Sequence, residues 1–390
     1  ISGSVDQIRG EVTDAINDAV RNVVRVHRLP EWVVNPDNGL SSIRRLADAI
    51  GGENDAKLMI LVDEYDRFAN QLLLEDRAAY DAVVGRSSTN TPAGPLRALV
   101  ETLKKISKML GSRFRSLITG VSPIALHDAS GYNVAENLSL SPNLGDSFGF
   151  TVADVERGLH ATLLPEEERA LALKRMTEYY DGYRFPGSTE DVFNPQQCLF
   201  FLKQLISNPT FRPLVTSDKT SEQDLMDAMR DSNVAPSGRP VTLAAQSGVG
   251  STAVFELSAL TADQAVSGVK LRDSFGVRQM LSDHLSTEVS WEESRSLLVS
   301  YLFYQGACTL SKDGGGFVVP NQLQKEDFLN AVAARRASLE FSWSSWLDSI
   351  EDSAELRELL SKTVEDMPAI AMDGFSEAAF QSVVAASLRS

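Results

Sequence analysis

Cysteine is almost missing from this 390-residue chain. Cys198 and Cys308 are the two present, and they lie far apart. That excludes a disulfide framework and a cysteine-based zinc site. The four histidines, His27, His127, His160 and His284, are scattered as well, which argues against a histidine-ligated metal. No apolar run approaches the roughly 18 to 20 residues that a membrane helix needs; Leu58 to Val62 and Leu297 to Val299 are of strand or core-helix size. Positive charge is short too: 37 basic against 53 acidic residues leave a net charge of −16. A chain so acidic does not coat nucleic acid or an anionic membrane through its bulk field, so any such contact needs a locally basic surface. The opening residues, Ile1 to Asp6, hold no initiator Met, basic segment or apolar signal region, and predict a reading frame that starts upstream.

What is present is ordinary globular composition, 43% hydrophobic and 23% charged. At roughly 150 residues per domain the length predicts two or three domains. Val12, Ile16, Val20, Val23 and Val24 recur at helical spacing and predict a helix over 6–26. A turn-rich connector, Trp32 to Gly39, leads to a second helix over 42–50. Lys57-Leu58-Met59-Ile60-Leu61-Val62 then ends abruptly in Asp63-Glu64-Tyr65-Asp66, which predicts a parallel-type strand buried on both faces. A polar loop, Arg86 to Gly94, precedes Pro95, where Leu96, Leu99, Val100, Leu103, Ile106 and Leu110 mark an amphipathic helix with Lys104, Lys105 and Lys108 on its wet side. Gly111 stops it, and Phe114 to Gly120 reads as a second buried strand. Strand, helix, strand is the crossover unit of a parallel sheet.

After about residue 150 the pattern turns helical, over 152–159, 165–179, 195–206 and 221–228. Ser232 to Ser251 is rich in Gly, Ser and Pro and predicts a mobile connection. An apolar helix over 294–305 precedes Ala307 to Leu310, a glycine turn at Gly314-Gly315-Gly316, and Phe317-Val318-Val319. This is a hairpin, and helix plus hairpin predicts a winged-helix-like piece. There is no internal repeat.

Three constellations are able to carry chemistry. In P-loop NTPases an apolar strand delivers an Asp that holds Mg²⁺ on the nucleotide phosphates, and an adjacent Glu can orient water. Asp63 and Glu64 fit that pattern; they fit equally a strand ending in solvated acids. Thr119 or Ser122, at the tip of the neighbouring strand, would sense a γ-phosphate, or simply mark a turn at Gly120. Two strands joined by one helix favour the NTPase reading. Against it, no Gly-x-x-x-x-Gly-Lys-Ser/Thr occurs anywhere in the chain. Ser247-Gly248-Val249-Gly250-Ser251-Thr252 lacks the lysine and reads as a flexible loop. The third constellation is Tyr179 to Phe185 with Phe193-Asn194-Pro195, either a packed aromatic turn or a place from which Arg184 reaches a phosphate.

An ordered set of these stretches resembles a known family. Leu61-Val62-Asp63-Glu64-Tyr65-Asp66, Thr119-Gly120-Val121-Ser122-Pro123, Asp181-Gly182-Tyr183-Arg184-Phe185 with Asn194-Pro195, and Gln305-Gly306-Ala307 with Pro320-Asn321 look like the AAA-ATPase-like proteins that often carry a C-terminal PD-(D/E)XK-type nuclease domain. Thr119 to Leu126, followed by Ser130-Gly131-Tyr132-Asn133 and Phe148-Gly149-Phe150-Thr151, is most similar to the Crinkler-type branch of oomycete and fungal effectors. The resemblance covers roughly residues 1 to 325. It implies an α/β P-loop NTPase-like core over 1–150, without its phosphate loop, then an α-helical domain over 151–290. A winged-helix-like subdomain over 291–325 and a helical linker over 326–390 would follow, leading at Phe375 to Phe380 into a truncated nuclease. It implies Mg²⁺ and ATP as cofactors of the intact protein, with Asp63 as metal ligand, Glu64, Thr119 and Ser122 as catalytic or sensing groups, and Arg184 on the nucleotide. It places the protein inside a cell, in the host nucleus for a Crinkler-type effector. The family's phosphate-loop lysine lies upstream of the first helix, so the chain as given is expected to be inactive. Pro123 stands where many bacterial relatives carry arginine, so no arginine finger is implied there.

The competing expectation is a degenerate, non-hydrolysing interaction scaffold. A nuclease acting from Asp63, Glu64 and Asp66 is the third, and it lacks a Glu-x-Lys element. Lys104, Lys105 and Lys108, with Arg113 and Arg115 behind them, form a local basic strip: a solvated helix face or a contact for DNA.

Overall fold

A computed structural model of the chain describes residues 5–52, 56–67, 69–70, 72, 77–85, 92–130, 135–230, 260, 265–276 and 291–328. The phosphate-loop imitation at 247–252, the connection over 232–251 and the nuclease-like opening at 375–380 lie outside those residues. The fold is mixed α/β, many helices with a small parallel sheet, and the chain divides into two compact units. The first unit runs to Glu136 and takes in a later segment from Ser274; the second begins at Asn137. That division precedes the expected boundary at 150. Residues 145–150 are tied into the second unit, where Ser188 Oγ donates to the Gly145 carbonyl at 2.9 Å and Phe150 bridges Phe193. Ser274 joins the first unit by a 2.6 Å hydrogen bond between its hydroxyl and His127 Nδ1.

The first unit is built from α1 (Val5–His27), α2 (Gly39–Gly51), β1 (Leu58–Val62), α3 (Arg77–Val84), α4 (Pro95–Leu110), β2 (Phe114–Ile118) and α5 (Ile124–Ser130). β1 and β2 pair in parallel, Leu58 opposite Phe114 through Val62 opposite Ile118. Parallel neighbours need a long crossover, and 51 residues, 63–113, supply it with α3 and α4. α4 opens with proline in its first turn, where the missing N–H costs nothing, and ends at Gly111 with φ +56°, a left-handed value that suits glycine. One core joins Val20, Ile43, Leu46, Leu103, Ile106 and Leu110 of the helices to Leu58 and Phe114 of the sheet.

Here the sequence expectation needs correction. The strands are covered on one face among the described residues, not on both. Side chains alternate along a strand, and the helices of this core all pack on the face bearing Leu58, Ile60, Phe114 and Ile118. Met59, Leu61 and Leu117, on the other face, remain 61%, 67% and 49% exposed.

A buried polar clasp sets how α1 meets α2. Asn17, fully buried, donates through Nδ2 to the carbonyls of Asn35 (2.9 Å) and Pro36 (3.1 Å), while its Oδ1 accepts from the buried Ser42 hydroxyl at 2.6 Å. Gly39 is required where α2 starts, because a Cβ there would stand 2.8 Å from the Thr13 carbonyl oxygen. Asn38 caps α2 by accepting from the Ser41 amide.

The second unit contains α6 (Val152–Ala161), α7 (Glu166–Tyr180), α8 (Pro195–Ser207), α9 (Phe211–Val215), α10 (Glu222–Met229), β3 (Val266–Ser267), α11 (Trp291–Tyr304), β4 (Thr309–Leu310) and β5 (Gly316–Val318). Thr151 and Asp154 form a reciprocal cap on α6. Met176, Tyr179 and Tyr180 of α7 pack with Cys198, Phe201 and Leu205 of α8, and Phe201 meets Phe211 edge-on at 5.2 Å. The expected hairpin exists as β4 and β5, and β3, which the sequence did not reveal, completes a three-stranded antiparallel sheet. No helix among the described residues is long and apolar enough to cross a membrane.

Two predictions follow from this packing. Asn17→Ala removes three hydrogen bonds made by a fully buried side chain, and is expected to cost about 1 to 3 kcal/mol; Asp14→Ala, on the exposed side of α1, should stay within about 0.5 kcal/mol. Urea unfolding compares them. Burial pushes the Cys198 thiol up to about 12 and raises that of Cys308 as well. Since the thiolate is the reactive form, a thiol reagent at pH 8 should leave both cysteines unmodified in the native protein and titrate both in denaturant.

Candidate functional site at the carboxyl ends of the strands

The ladder between β1 and β2 continues one step beyond the strands: Thr119 N–H donates to the Val62 carbonyl at 2.8 Å, and Tyr65 N–H to the Thr119 carbonyl at 3.1 Å. The alternation of side chains therefore places Asp63 in line with Met59 and Leu61, and Thr119 in line with Leu117, on the open side of the sheet. There the Thr119 hydroxyl donates to Asp63 Oδ1. The Glu64 amide donates to the same oxygen at 3.0 Å. Asp63, Glu64 and Thr119 are all exposed.

Glu64 has φ +48°, a left-handed conformation that few residues with a side chain adopt. Strain of this kind persists where the surroundings over-determine it. Its carboxylate meets Arg67 Nη1 at 3.1 Å, but both side chains are more than half exposed, so this pair contributes little. The next two residues turn inward. Tyr65 is nearly buried and donates its hydroxyl to the Ser122 carbonyl. Asp66 is completely buried; its carboxylate accepts from the amides of Val121 (3.0 and 3.1 Å) and Ser122 (2.8 Å) and from Asn70 Nδ2 (2.8 Å). Gly120 lies against this pair so closely that a Cβ would come within 2.3 Å of Tyr65 Cε1 and 2.6 Å of Asp66 Oδ1. Ser122 is buried, and its hydroxyl has no hydrogen-bond partner among the described residues.

The structure thus brings together Asp63, Glu64 and Thr119 on one open surface, while the Ser122 side chain points into the protein. Asp66 matters more than its sequence position suggested. Read from the string alone it was a third acid in a nuclease-type cluster, and no spacing rule distinguishes an exposed acid from one that turns inward to bind amides 55 residues away.

Arg184 belongs to the second unit. Its guanidinium holds Asp191 Oδ1 through Nε at 2.8 Å and Nη2 at 2.7 Å, and Lys312 reaches the other oxygen of Asp191 at 3.1 Å. Its backbone completes the turn, with N–H on Thr309 Oγ1 and its carbonyl accepting from the same hydroxyl. The aromatic turn before it is tightly fitted: Gly182, at φ +91°, leaves room for the Pro320 carbonyl, which a Cβ would approach to 2.1 Å. Burial raises the Asp181 carboxyl, offset in part by the Gly182 amide. On α4, Lys105 and Lys108 are exposed and Lys104 is half-buried. Arg113 reaches back to the Gly51 carbonyl, and Arg115 to those of Ser112 and Phe114.

Among the described residues no three His, Cys, Asp or Glu side chains gather as a metal cluster. A magnesium ion does not need one, since it is commonly held by one or two carboxylates together with substrate phosphates and water. Asp63 suits that role: among the described residues its two hydrogen bonds both fall on Oδ1, and Oδ2 is the oxygen that would take a hard cation.

Against known proteins, residues 3–130 match the family described as Predicted AAA-ATPase. No curated protein and no solved structure matches the chain. The matched stretch runs from α1 to the end of α5, and so includes the parallel sheet and the Asp63–Thr119 pair at its carboxyl end.

Proposed function

We propose that the protein is the ATPase-like part of a nucleotide-dependent switch, in which the intact protein couples ATP binding to control of a nuclease or another effector action of Crinkler type. The observation that carries this reading is the hydrogen bond from Thr119 to Asp63 at the carboxyl ends of two adjacent parallel strands, the end at which open α/β sheets take their ligands. Asp63 would hold Mg²⁺, which when bound neutralises charge on the nucleotide phosphates. Glu64, exposed and beside it, would orient the attacking water. Thr119 would sense the γ-phosphate, a role that suits its exposed hydroxyl better than the buried one of Ser122. Arg184, committed to Asp191, is not needed. In the second unit, α11 followed by β4 and β5 supports the winged-helix-like reading. Lys105 and Lys108 remain the candidates for a local contact with DNA.

The second reading is a non-hydrolysing scaffold, favoured by the absence of any Gly-x-x-x-x-Gly-Lys-Ser/Thr in the chain. Backbone amides of such a loop supply much of the affinity for phosphates. The chain as given is therefore expected to bind Mg²⁺–ATP no more tightly than about 1 mM, near 4 kcal/mol; titration calorimetry giving clear micromolar affinity would refute this.

In a full-length protein that supplies the loop, Glu64→Gln should lower turnover by about 10²- to 10⁴-fold and leave ATP binding largely intact. Asp63→Asn should instead weaken the Mg²⁺-dependent part of binding. Parental hydrolysis by Glu64→Gln would remove Glu64 from the mechanism. A full-length protein without the loop and without turnover would leave the scaffold.

A further inference from the structure

Among the described residues of the first unit, Asp66 is the only buried carboxylate, and its donors are amides rather than a cation. A buried carboxylate is tolerable only when its oxygens are satisfied, and these are satisfied chiefly by the segment that follows β2. That segment is gripped at several points by the two residues that follow Asp63 and Glu64. Tyr65 N–H takes the Thr119 carbonyl, Asp66 takes the Val121 and Ser122 amides, and the Tyr65 hydroxyl takes the Ser122 carbonyl. Gly120 lets the backbone pass against the Tyr65 ring. Thr119, whose hydroxyl touches Asp63, is the first residue of the gripped segment.

We propose that Asp66 is a positioning residue for the Asp63–Thr119 pair: its carboxylate, anchored in the core, sets the path of residues 119–122 and so places the Thr119 hydroxyl on Asp63. The consequence for turnover rests on the ATPase reading; the positioning itself does not. The charge matters as well as the shape. Both oxygens of Asp66 face the Val121 amide, so an asparagine in either orientation would set its own N–H₂ against that N–H.

The test uses Asp66→Asn and Tyr65→Phe in the full-length protein. Amide exchange at Val121 and Ser122 and the NMR methyl resonance of Thr119, a reporter of its χ1 rotamer, read the positioning directly. In Asp66→Asn the two amides should exchange at least about tenfold faster, with α4 amides unchanged, and the Thr119 methyl should move to a rotamer-averaged shift. Turnover should fall by about tenfold or more with KM for ATP within about twofold, the pattern of an interaction that matters in the transition state. If Asp66→Asn fails to melt cooperatively, Tyr65→Phe, which removes one hydroxyl, should show a smaller change in the same direction at Ser122 and Thr119. Unchanged amides and an unchanged Thr119 methyl in a folded variant overturn the proposal. A loosened segment and a displaced Thr119 methyl with the parental kcat uphold the positioning and overturn only the turnover consequence, which belongs to the ATPase reading. If the parental protein hydrolyses no ATP, the ATPase reading fails by itself, and the Thr119 methyl alone decides whether Asp66 positions it.

Discussion

Two parallel strands cannot be joined by a tight turn, and the pairing of Leu58–Val62 with Phe114–Ile118 governs nearly everything in the first unit. It requires the long crossover, and the crossover supplies α4, whose buried leucines and Ile106 cover one face of the sheet. It also brings the carboxyl ends of both strands to the same edge. Asp63 and Thr119 are 56 positions apart in the chain and in hydrogen-bond contact in the fold. In an antiparallel pair the end of one strand would lie beside the start of the other, and those two residues would stand at opposite edges.

Beyond the strands, hydrogen bonding to Asp66 takes over from the ladder. A loop that leaves a sheet loses its regular partners, and its buried amides must find others. The Val121 and Ser122 amides find them in Asp66, and the Tyr65 hydroxyl donates to the Ser122 carbonyl, so the two loops at the site are tied to each other. The left-handed backbone at Glu64 belongs to the same economy of space. Asp63 lies on the open face and Tyr65 and Asp66 are drawn into the protein, so the chain must reverse direction between them, and Glu64 takes up that reversal.

The second unit rests on different physics. Its core is aromatic and helical, and its turns are closed by backbone fit, as at Gly182 against Pro320. Arg184 illustrates how tertiary context decides a charged residue's role. In sequence it stands in a glycine-bearing aromatic turn that suits a phosphate contact; in the structure its guanidinium is bound to Asp191, a carboxylate it shares with Lys312, and Thr309 pins its backbone.

Much of this was determined by the amino-acid sequence alone. Helical periodicity located α1, α2, α4, α6, α7, α8, α10 and α11, and the apolar runs ending in Asp63 and Thr119 located both strands, because those signals are local and repeat every two or 3.6 residues. The carboxylates of the site were legible for the same reason. The tertiary structure alone decided which strand face is covered, since Met59 and Ile60 are equally apolar and only the placement of the helices separates them. It alone decided that Ser122 is buried while Thr119 is exposed. It alone turned Asp66 from a neighbour of Asp63 into the anchor of a distant loop, because burial and hydrogen bonding across 55 residues leave no periodic trace in the chain.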